Sequence, residues 1–382
     1  MEKTASMAEQ SSSYDAALKD IEAMAEEFEA GLVAPAIRSA KEVVIPVVVH
    51  VLYDREENNI PDSQILSQID ALNRDFNWEQ WDKFKIPAVW RDLGVASGFR
   101  FKLADVDPQG NWTKGITRKQ VFETIIGGGD NYYSTSRGGV DPWPQAHYIN
   151  IWVCEIGDNV LGFAYLPASD VPANDGIVMD PRAFGLGGTA QAPYDGGRTL
   201  VHEMGHYLGL RHLWGMEEGS CTNTDYMSDT PWQQEPNYRC SQFPSKSCAS
   251  EKNGDMFMNF MDYADDTCAL LFTKKQVEFM QLVLRTSRVT LIHSDAATAI
   301  KEGSASGYSL YPIPVSNELI VSASNDLMLG EFRIIDISGR IVNAGQLSQR
   351  NSIIDVSFLP NGSYILNTSA GNKRFIKISN GR

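Results

Sequence analysis

A chain of 382 residues with 43% hydrophobic and 21% charged side chains has the composition of a globular protein of more than one domain. Its net charge of −15 excludes a nucleic-acid surface, because phosphate contacts need clustered Lys and Arg. No run of about 18 apolar residues is present to span a membrane.

The first 41 residues are polar and acidic, with one amphipathic stretch, YDAALKDIEAMAEEFEAG. There Leu18, Ile21, Ala25 and Phe28 recur at helical spacing, so 1–41 is read as a leader or prosegment remnant containing a short helix. The opening MEKTASMAEQSSSYDAALK has neither the charged nor the apolar stretch of an export signal, and prior removal of a signal peptide is the expectation. EVVIPVVVHVLY (42–53) is a β-branched run and reads as a buried strand, with Pro46 placing its start near an edge. PDSQILSQIDALNRDFN predicts a helix with Ile65, Ile69, Leu72 and Phe76 on one stripe and Asp62 or Ser63 as its cap. GFRFKLAD (98–105) alternates like a half-exposed strand, YINIWVCEI (148–156) reads as a buried strand, and GIVMD (176–180) as a short one. The glycine runs at 127–130 and 185–188 follow no strand-to-helix pattern and are read as loops, not phosphate cradles. After an irregular stretch, TKKQVEFMQLVLRTS predicts a helix with Thr273 and Gln276 as capping box and Val277, Met280 and Leu284 as apolar stripe. This order predicts an α/β or α+β domain over 42–300, with a mixed twisted sheet.

Beyond it the composition changes. KEGSASG (301–307) reads as a linker. Residues 307–382 carry seven Lys/Arg against five Asp/Glu, while the rest carry 26 against 43. LIVSAS, EFRIIDISGRIV, SIIDVSFL, GSYILNTS and RFIKIS are short alternating strands, the pattern of a small C-terminal β-sandwich over 308–382.

Four of the five cysteines, Cys221, Cys240, Cys248 and Cys268, lie in one loop-rich region. Two disulfides pinning a long loop fit this clustering and an oxidising compartment. A four-cysteine zinc knot fits less well, since spacings of 19, 8 and 20 contain no short pair. Cys154, in an apolar run, is read as a buried free thiol.

The chemistry concentrates in TLVHEMGHYLGLRHLWG (199–215), which holds three of the six histidines. His202 and His206 are four apart and share one face of a helix, so both imidazoles can reach one metal ion. Glu203 stands beside them as a candidate general base toward water. Gly209 lets the chain leave the helix through a conformation closed to residues with a β-carbon, bringing His212 round as third ligand. Three neutral imidazoles leave a fourth position open, the arrangement of a catalytic zinc site. An incidental pair on a solvated helix face does not account for the full H-E-x-x-H-x-x-G-x-x-H. The competing class is a silent binding or adhesion protein with a structural zinc, which has no use for an unligated Glu203. His50, His147 and His293 stand singly and are read as structural.

HEMGHYLGLRH resembles the zinc signature of the metzincin metallopeptidases. MNFMDYADDTC (258–268) resembles their methionine turn, with Met261 as the turn methionine. DTP at 229–231, the cysteine spacing and FTKKQ narrow the resemblance to the pappalysin family, in its ulilysin- and mirolysin-like branch. That resemblance implies bridges Cys221–Cys248 and Cys240–Cys268, and a role for Tyr263 at the tetrahedral oxyanion. It implies calcium in the pinned loop, where Thr222, Asp225, Ser228 and Thr230 offer oxygens; a plain Asx-rich turn is the alternative. It also places Asp266 near the pocket for the residue after the cut, implying cleavage before Arg or Lys, with Asp265 as the rival pocket acid. Residues 1–41 lack the cysteine that silences some metzincins, so either that prosegment is absent here or a carboxylate such as Asp15 or Asp20 does the blocking. YPIPVSNELIV, FRIIDISGRIV, IDVSFLPNGSYIL and KRFIKI resemble the C-terminal sorting domain of the Bacteroidetes type IX secretion route, with Ile313 where an Asn is usual. An adhesive or carbohydrate-binding sandwich is the alternative for this tail. Together these features predict a secreted or cell-surface zinc endopeptidase that acts on proteins or peptides and meets the secretion machinery through its tail.

Overall fold

The β-branched run at 43–53 forms the longest described strand and organises the first half of the molecule. In the computed structural model of the protein, residues 12–33, 42–168, 171–215, 218–293, 308–312, 315–323, 330–336, 340–347, 351–368 and 371–377 are described. The expected linker at 301–307, Ile313, and Arg38 and Lys41 lie outside them. Contacts divide the chain into two units, Met1–Ala297 and Thr298–Arg382.

In the first unit, α1 (Ser12–Glu29) precedes β1 (Val43–Tyr53), α2 (Asp62–Phe76), the single turn α3 (Ala88–Arg91), β2 (Phe99–Leu103) and β3 (Ile116–Gln120). Then come β4 (Ile149–Val153), β5 (Gly162–Ala164), β6 (Ile177–Met179), α4 (Arg198–Tyr207) and α5 (Lys274–Arg285). The sheet order is β2-β1-β4-β6-β5, and β3 also pairs with β1. All neighbours are parallel except β5, which runs antiparallel to β6 at the edge. β1 pairs with β2 through Val43–Val47 and with β3 through Val49–Tyr53, while β4 joins its other side from Val47 onward. Pro46, which has no N–H to donate, therefore sits where β1 has a strand on one side only.

β1 is buried on both faces, which is why its sequence is a continuous apolar run rather than an alternation. Ile45, Val47, Val49 and Val51 face the helices, and Leu52 joins a second cluster with Trp152 and Phe163 on the other face. The α2 stripe of Ile65, Ile69, Leu72 and Phe76 is buried, and Phe76 meets Phe101 edge-on at 5.0 Å. The expected α2 cap is not found: Pro61 occupies the cap position without a side-chain bond, and Asp62 instead pairs with Arg118 and Lys114. The capping box of α5 forms as predicted from Thr273 and Gln276. Helix α1 packs into the same core through Ile21, Ala25 and Phe28, with Phe28 against Phe279 of α5. Cys154 is buried and unbridged, and burial pushes its thiol pKa up. His50 is buried between Thr117 Oγ1 (2.7 Å) and Asn150 Oδ1 (3.0 Å), and burial lowers it to about 4. It is a satisfied core histidine.

The second unit comprises β7 (Tyr308–Tyr311), β8 (Glu318–Ala323), β9 (Gly330–Asp336), β10 (Ile341–Leu347), β11 (Asn351–Asp355), β12 (Gly362–Thr368) and β13 (Gly371–Lys377). They form two antiparallel sheets, β10-β9-β12-β13 and β11-β8-β7. Leu319, Val321 and Ile354 from one sheet and Phe332, Ile334, Leu366 and Phe375 from the other share one core. This is a β-sandwich.

Candidate metal centre

Helix α4 carries the first two histidines, and the turn at Gly209 (φ 90°) carries the third. Gly209 is required twice, because a β-carbon there would also meet Val283 at 2.9 Å and Phe279 at 3.2 Å. The result is convergence. His206 Nε2 lies 3.0 Å from both His202 Nε2 and His212 Nε2, and these two lie 3.3 Å apart.

The other ring nitrogens fix the tautomers. His202 Nδ1 donates to the carbonyl of Phe260 (2.7 Å) and His206 Nδ1 to that of Leu210 (2.8 Å). Both Nε2 atoms then present lone pairs to the common centre. His212 is held by stacking, its ring 4.5 Å from Trp214 at 10°. Burial lowers all three imidazoles from their usual range, His206 to about 4, which favours the neutral form a metal needs. Three lone pairs this close repel unless a cation lies among them. A tetrahedral ion with bonds of about 2.0 Å separates its ligands by about 3.3 Å, so the donor set fits zinc. Among the described residues, this is the one group of three or more His, Cys, Asp or Glu side chains that could hold a metal ion.

Glu203 is fully buried beside the triad, and neither carboxylate oxygen has a hydrogen-bond partner. Burial alone raises its pKa well above the usual range. The edge strand lies directly on it: a β-carbon at Gly162 would meet Glu203 Cγ at 3.1 Å and Met179 Sδ at 2.7 Å. Met261 packs under α4, where a β-carbon at Gly205 would come within 2.5 Å of its Sδ. Tyr263 stands in an aromatic group around the site, its ring 4.9 Å from His212 and from Trp214 and 5.6 Å from His202.

A sequence profile described as pregnancy-associated plasma protein-A matches residues 135–285, and one described as a secretion system C-terminal sorting domain matches 309–378. An extracellular metalloprotease of Arthroderma benhamiae is 30% identical over 241 residues, which are 61% of this chain and 74% of that protein. The chain belongs to the pappalysin family. Among solved pappalysin-like structures, a promirolysin variant of Tannerella forsythia is similar at 39% identity and TM-score 0.67, covering 72% of this chain and 91% of that one. Mature mirolysin of the same organism, in complex with a cleaved peptide, is similar at 41% identity and TM-score 0.64, covering 67% and 97%. The protein is thus a secreted or cell-surface zinc metallopeptidase with a metzincin-like catalytic unit and a sorting tail.

The cysteines of this pappalysin form Cys221–Cys248 and Cys240–Cys268. Of the oxygens expected to meet calcium, the structure joins only two: Asp225 Oδ1 accepts from Thr230 Oγ1 at 2.8 Å. Asp225 Oδ2 is buried without a partner, and burial raises this carboxyl to about 7. Thr222 is exposed and bonded to Ser220, and Ser228 is exposed. Asp15 and Asp20 are exposed on α1.

Asp266 is buried, and its carboxylate is bonded to backbone N–H groups inside the chain. Its Oδ2 accepts from the backbone N–H of Gly196 (2.7 Å) and Arg198 (3.2 Å) at the start of α4. The buried Arg198 guanidinium binds the Asp266 carbonyl and pairs with Asp75 and Asp82. Burial still raises Asp266 to about 6, against these bonds and the Arg198 charge.

Several groups that position α4 leave no mark in the sequence. Arg198 anchors one end. Arg288 anchors the other, bonding the Tyr207 carbonyl (2.8 Å) and clamping Asp175 with two bonds of 2.9 Å. A lone Arg in a sequence gives no sign of burial. The one available signal for Gly205 and Gly162 was their residue type, which marks close approach only once the partner is known.

Proposed function

We propose that the protein is an endopeptidase in which Glu203 is the general base, Tyr263 assists at the oxyanion, and cleavage precedes Arg or Lys. What carries the reading is a buried, unpartnered Glu203 carboxylate beside three convergent histidine nitrogens. A zinc ion held by His202, His206 and His212 supplies Lewis acidity, lowering the pKa of water to roughly 7 and polarising the scissile carbonyl. Glu203 takes the proton of the attacking water at a carboxylate oxygen and delivers it to the leaving amine nitrogen. The Tyr263 hydroxyl donates to the oxygen on which charge develops.

The edge strand offers the substrate a template. Leu161 O accepts from Asp180 N and Tyr165 N donates to Gly176 O, so those residues pair with the β6 side. Gly162 and Ala164 between them turn their N–H and C=O groups to the free edge, where an extended peptide can add as a strand directly above Glu203.

For the residue after the cut, two carboxylates stand close together. Asp266 is engaged at the start of α4. Asp265 is half-buried, its pKa raised by burial against the attraction of Arg239. Either favours a cationic side chain, and Arg over Lys for bidentate geometry. The same preference directs self-cleavage before Arg38 or Lys41. Calcium at Asp225 belongs to the proposal, supported by the buried free Oδ2. So does the division into a leader (1–41), a peptidase domain (42–300), a linker (301–307) and a sandwich (308–382) that addresses the secretion machinery.

Mass spectrometry of peptide-library products tests this reading. Glu203→Ala should keep its metal and lose roughly 10²- to 10⁴-fold in rate. Near wild-type cleavage by that variant sinks the assignment of the base. Arg and Lys should be enriched after the cut, and either Asp265→Asn or Asp266→Asn should erase the enrichment. A wild-type profile without it defeats the specificity.

A further inference from the structure

Arg211 immediately precedes the third histidine and is buried, with 7% of its side chain exposed. Its Nη1 pairs with Glu22 Oε1 of α1 at 2.9 Å, and its Nε is buried without a hydrogen-bond partner. The guanidinium lies over the Tyr226 ring at 5.2 Å, and Tyr226 itself holds a left-handed φ of 65°. Beside this pair is a cavity of ≈280 Å³ lined by Glu22, Arg211, Thr222, Asn223, Thr224 and Tyr226.

These features have one chemistry in common. A buried guanidinium needs an anion, a planar carboxylate suits it, and Glu22 is the one acid among the residues lining the cavity. Around Glu22, α1 is seated rather than loosely attached. Ile21 approaches the turn at Gly209, where a β-carbon would meet its Cδ1 at 3.4 Å, and Phe28 packs against Phe279. Lys275 of α5 pairs with Glu29 at 3.4 Å and sits over the Phe28 ring at 4.8 Å. The helix thus touches the 209–212 turn on both sides of its bend: at Gly209 through Ile21, and at Arg211 through Glu22. That turn is what delivers His212 to the other two imidazoles.

We propose that Arg211 and the adjoining cavity form a carboxylate-receiving site, filled in cis by Glu22, through which α1 sets the position of the third metal ligand, His212. The inference rests on the three-histidine zinc site. In it Glu22 is a positioning residue, and a small free carboxylate replaces it when its side chain is removed.

Zinc affinity of the full chain, measured by chelator competition, tests it. Glu22→Ala should retain zinc about tenfold less tightly, the lower end of what groups behind a metal ligand contribute. Sodium acetate should restore the affinity saturably, while sodium chloride at equal ionic strength should not. Glu22→Gln keeps the packing of α1 and should show the same loss without acetate rescue, since the amide fills the space. A merely structural ion pair would lower the unfolding temperature of both variants and leave zinc affinity unchanged, which overturns the inference. So does a loss that acetate fails to restore. If His212→Ala binds zinc as tightly as the wild type, the zinc site itself is wrong, and the two failures are told apart.

Discussion

Two segments meet at the metal centre, and they are built in opposite ways. Residues 198–214 bring three histidines and Glu203 together chiefly by local geometry: one helical turn between His202 and His206, one left-handed Gly209, then His212. Residues 218–272 form almost no regular structure, and place Met261, Tyr263, Asp265 and Asp266 through two disulfides and buried carboxylates. Asp262 shows the second method. Its Oδ1 accepts the backbone N–H of Asn237 and Tyr263, and its Oδ2 accepts from the side chains of Gln233 and Asn237. One buried carboxylate thus holds Tyr263 to a strip of chain some distance away in sequence. Local spacing makes the metal site; long-range bonds make the floor beneath it.

The sharpest way to break this contrast is to remove the bridges. Each closes a loop of 27 or 28 residues, and its loss costs about 3.5 kcal/mol through the unfolded chain. Replacing all four bridging cysteines by Ser should lower the unfolding temperature and kcat together while zinc content stays near one per folded chain. Zinc lost in proportion to activity would show that the triad depends on the loop.

A pH series separates the segments next. Burial pushes Asp262 up to about 7, from an ordinary value near 3.8. Its folded form binds the proton more tightly than its unfolded form. The stability this contributes is complete below about pH 4 and is lost as pH rises through about 7, on the order of a few kcal/mol. Asp262→Asn should flatten the slope between those limits relative to wild type. Denaturant melts across that range check it, and an unchanged slope contradicts the role of burial.

Gly205 joins the segments, so a change there should register in both. Gly205→Ala puts a β-carbon into the space of Met261 Sδ, and overpacking of this kind costs about 1–3 kcal/mol. The paired variant Gly205→Ala/Met261→Ala should recover stability, as a double-mutant cycle would show. The smallest effect is expected from the tail. Deleting 308–382 should leave kcat within about twofold in a peptide assay, because that unit has a core of its own.

The contrast also explains what the sequence made legible. The strands at 43–53 and 149–153 and the stripe on α2 were readable because apolar periodicity is local. The three convergent histidines were readable for the same reason. β5 was not: three residues between turns carry no period, although this edge lies on Glu203. β3, ITRKQ, is largely polar and was hidden by its half-exposed place beside β1. Asp266 was read only as a pocket acid, and its partners at Gly196 and Arg198 are about 70 residues away in sequence, beyond any pattern. The tie between Glu22 and Arg211 spans 189 residues and was equally invisible.

The most direct test of the central claim is anomalous diffraction at the zinc edge from crystals of the full chain. A single strong peak is expected about 2.0–2.1 Å from Nε2 of His202, His206 and His212, with the Glu203 carboxylate beside it and not bonded to it. A peak held by other side chains, or none at the triad in zinc-replete crystals, would contradict that claim.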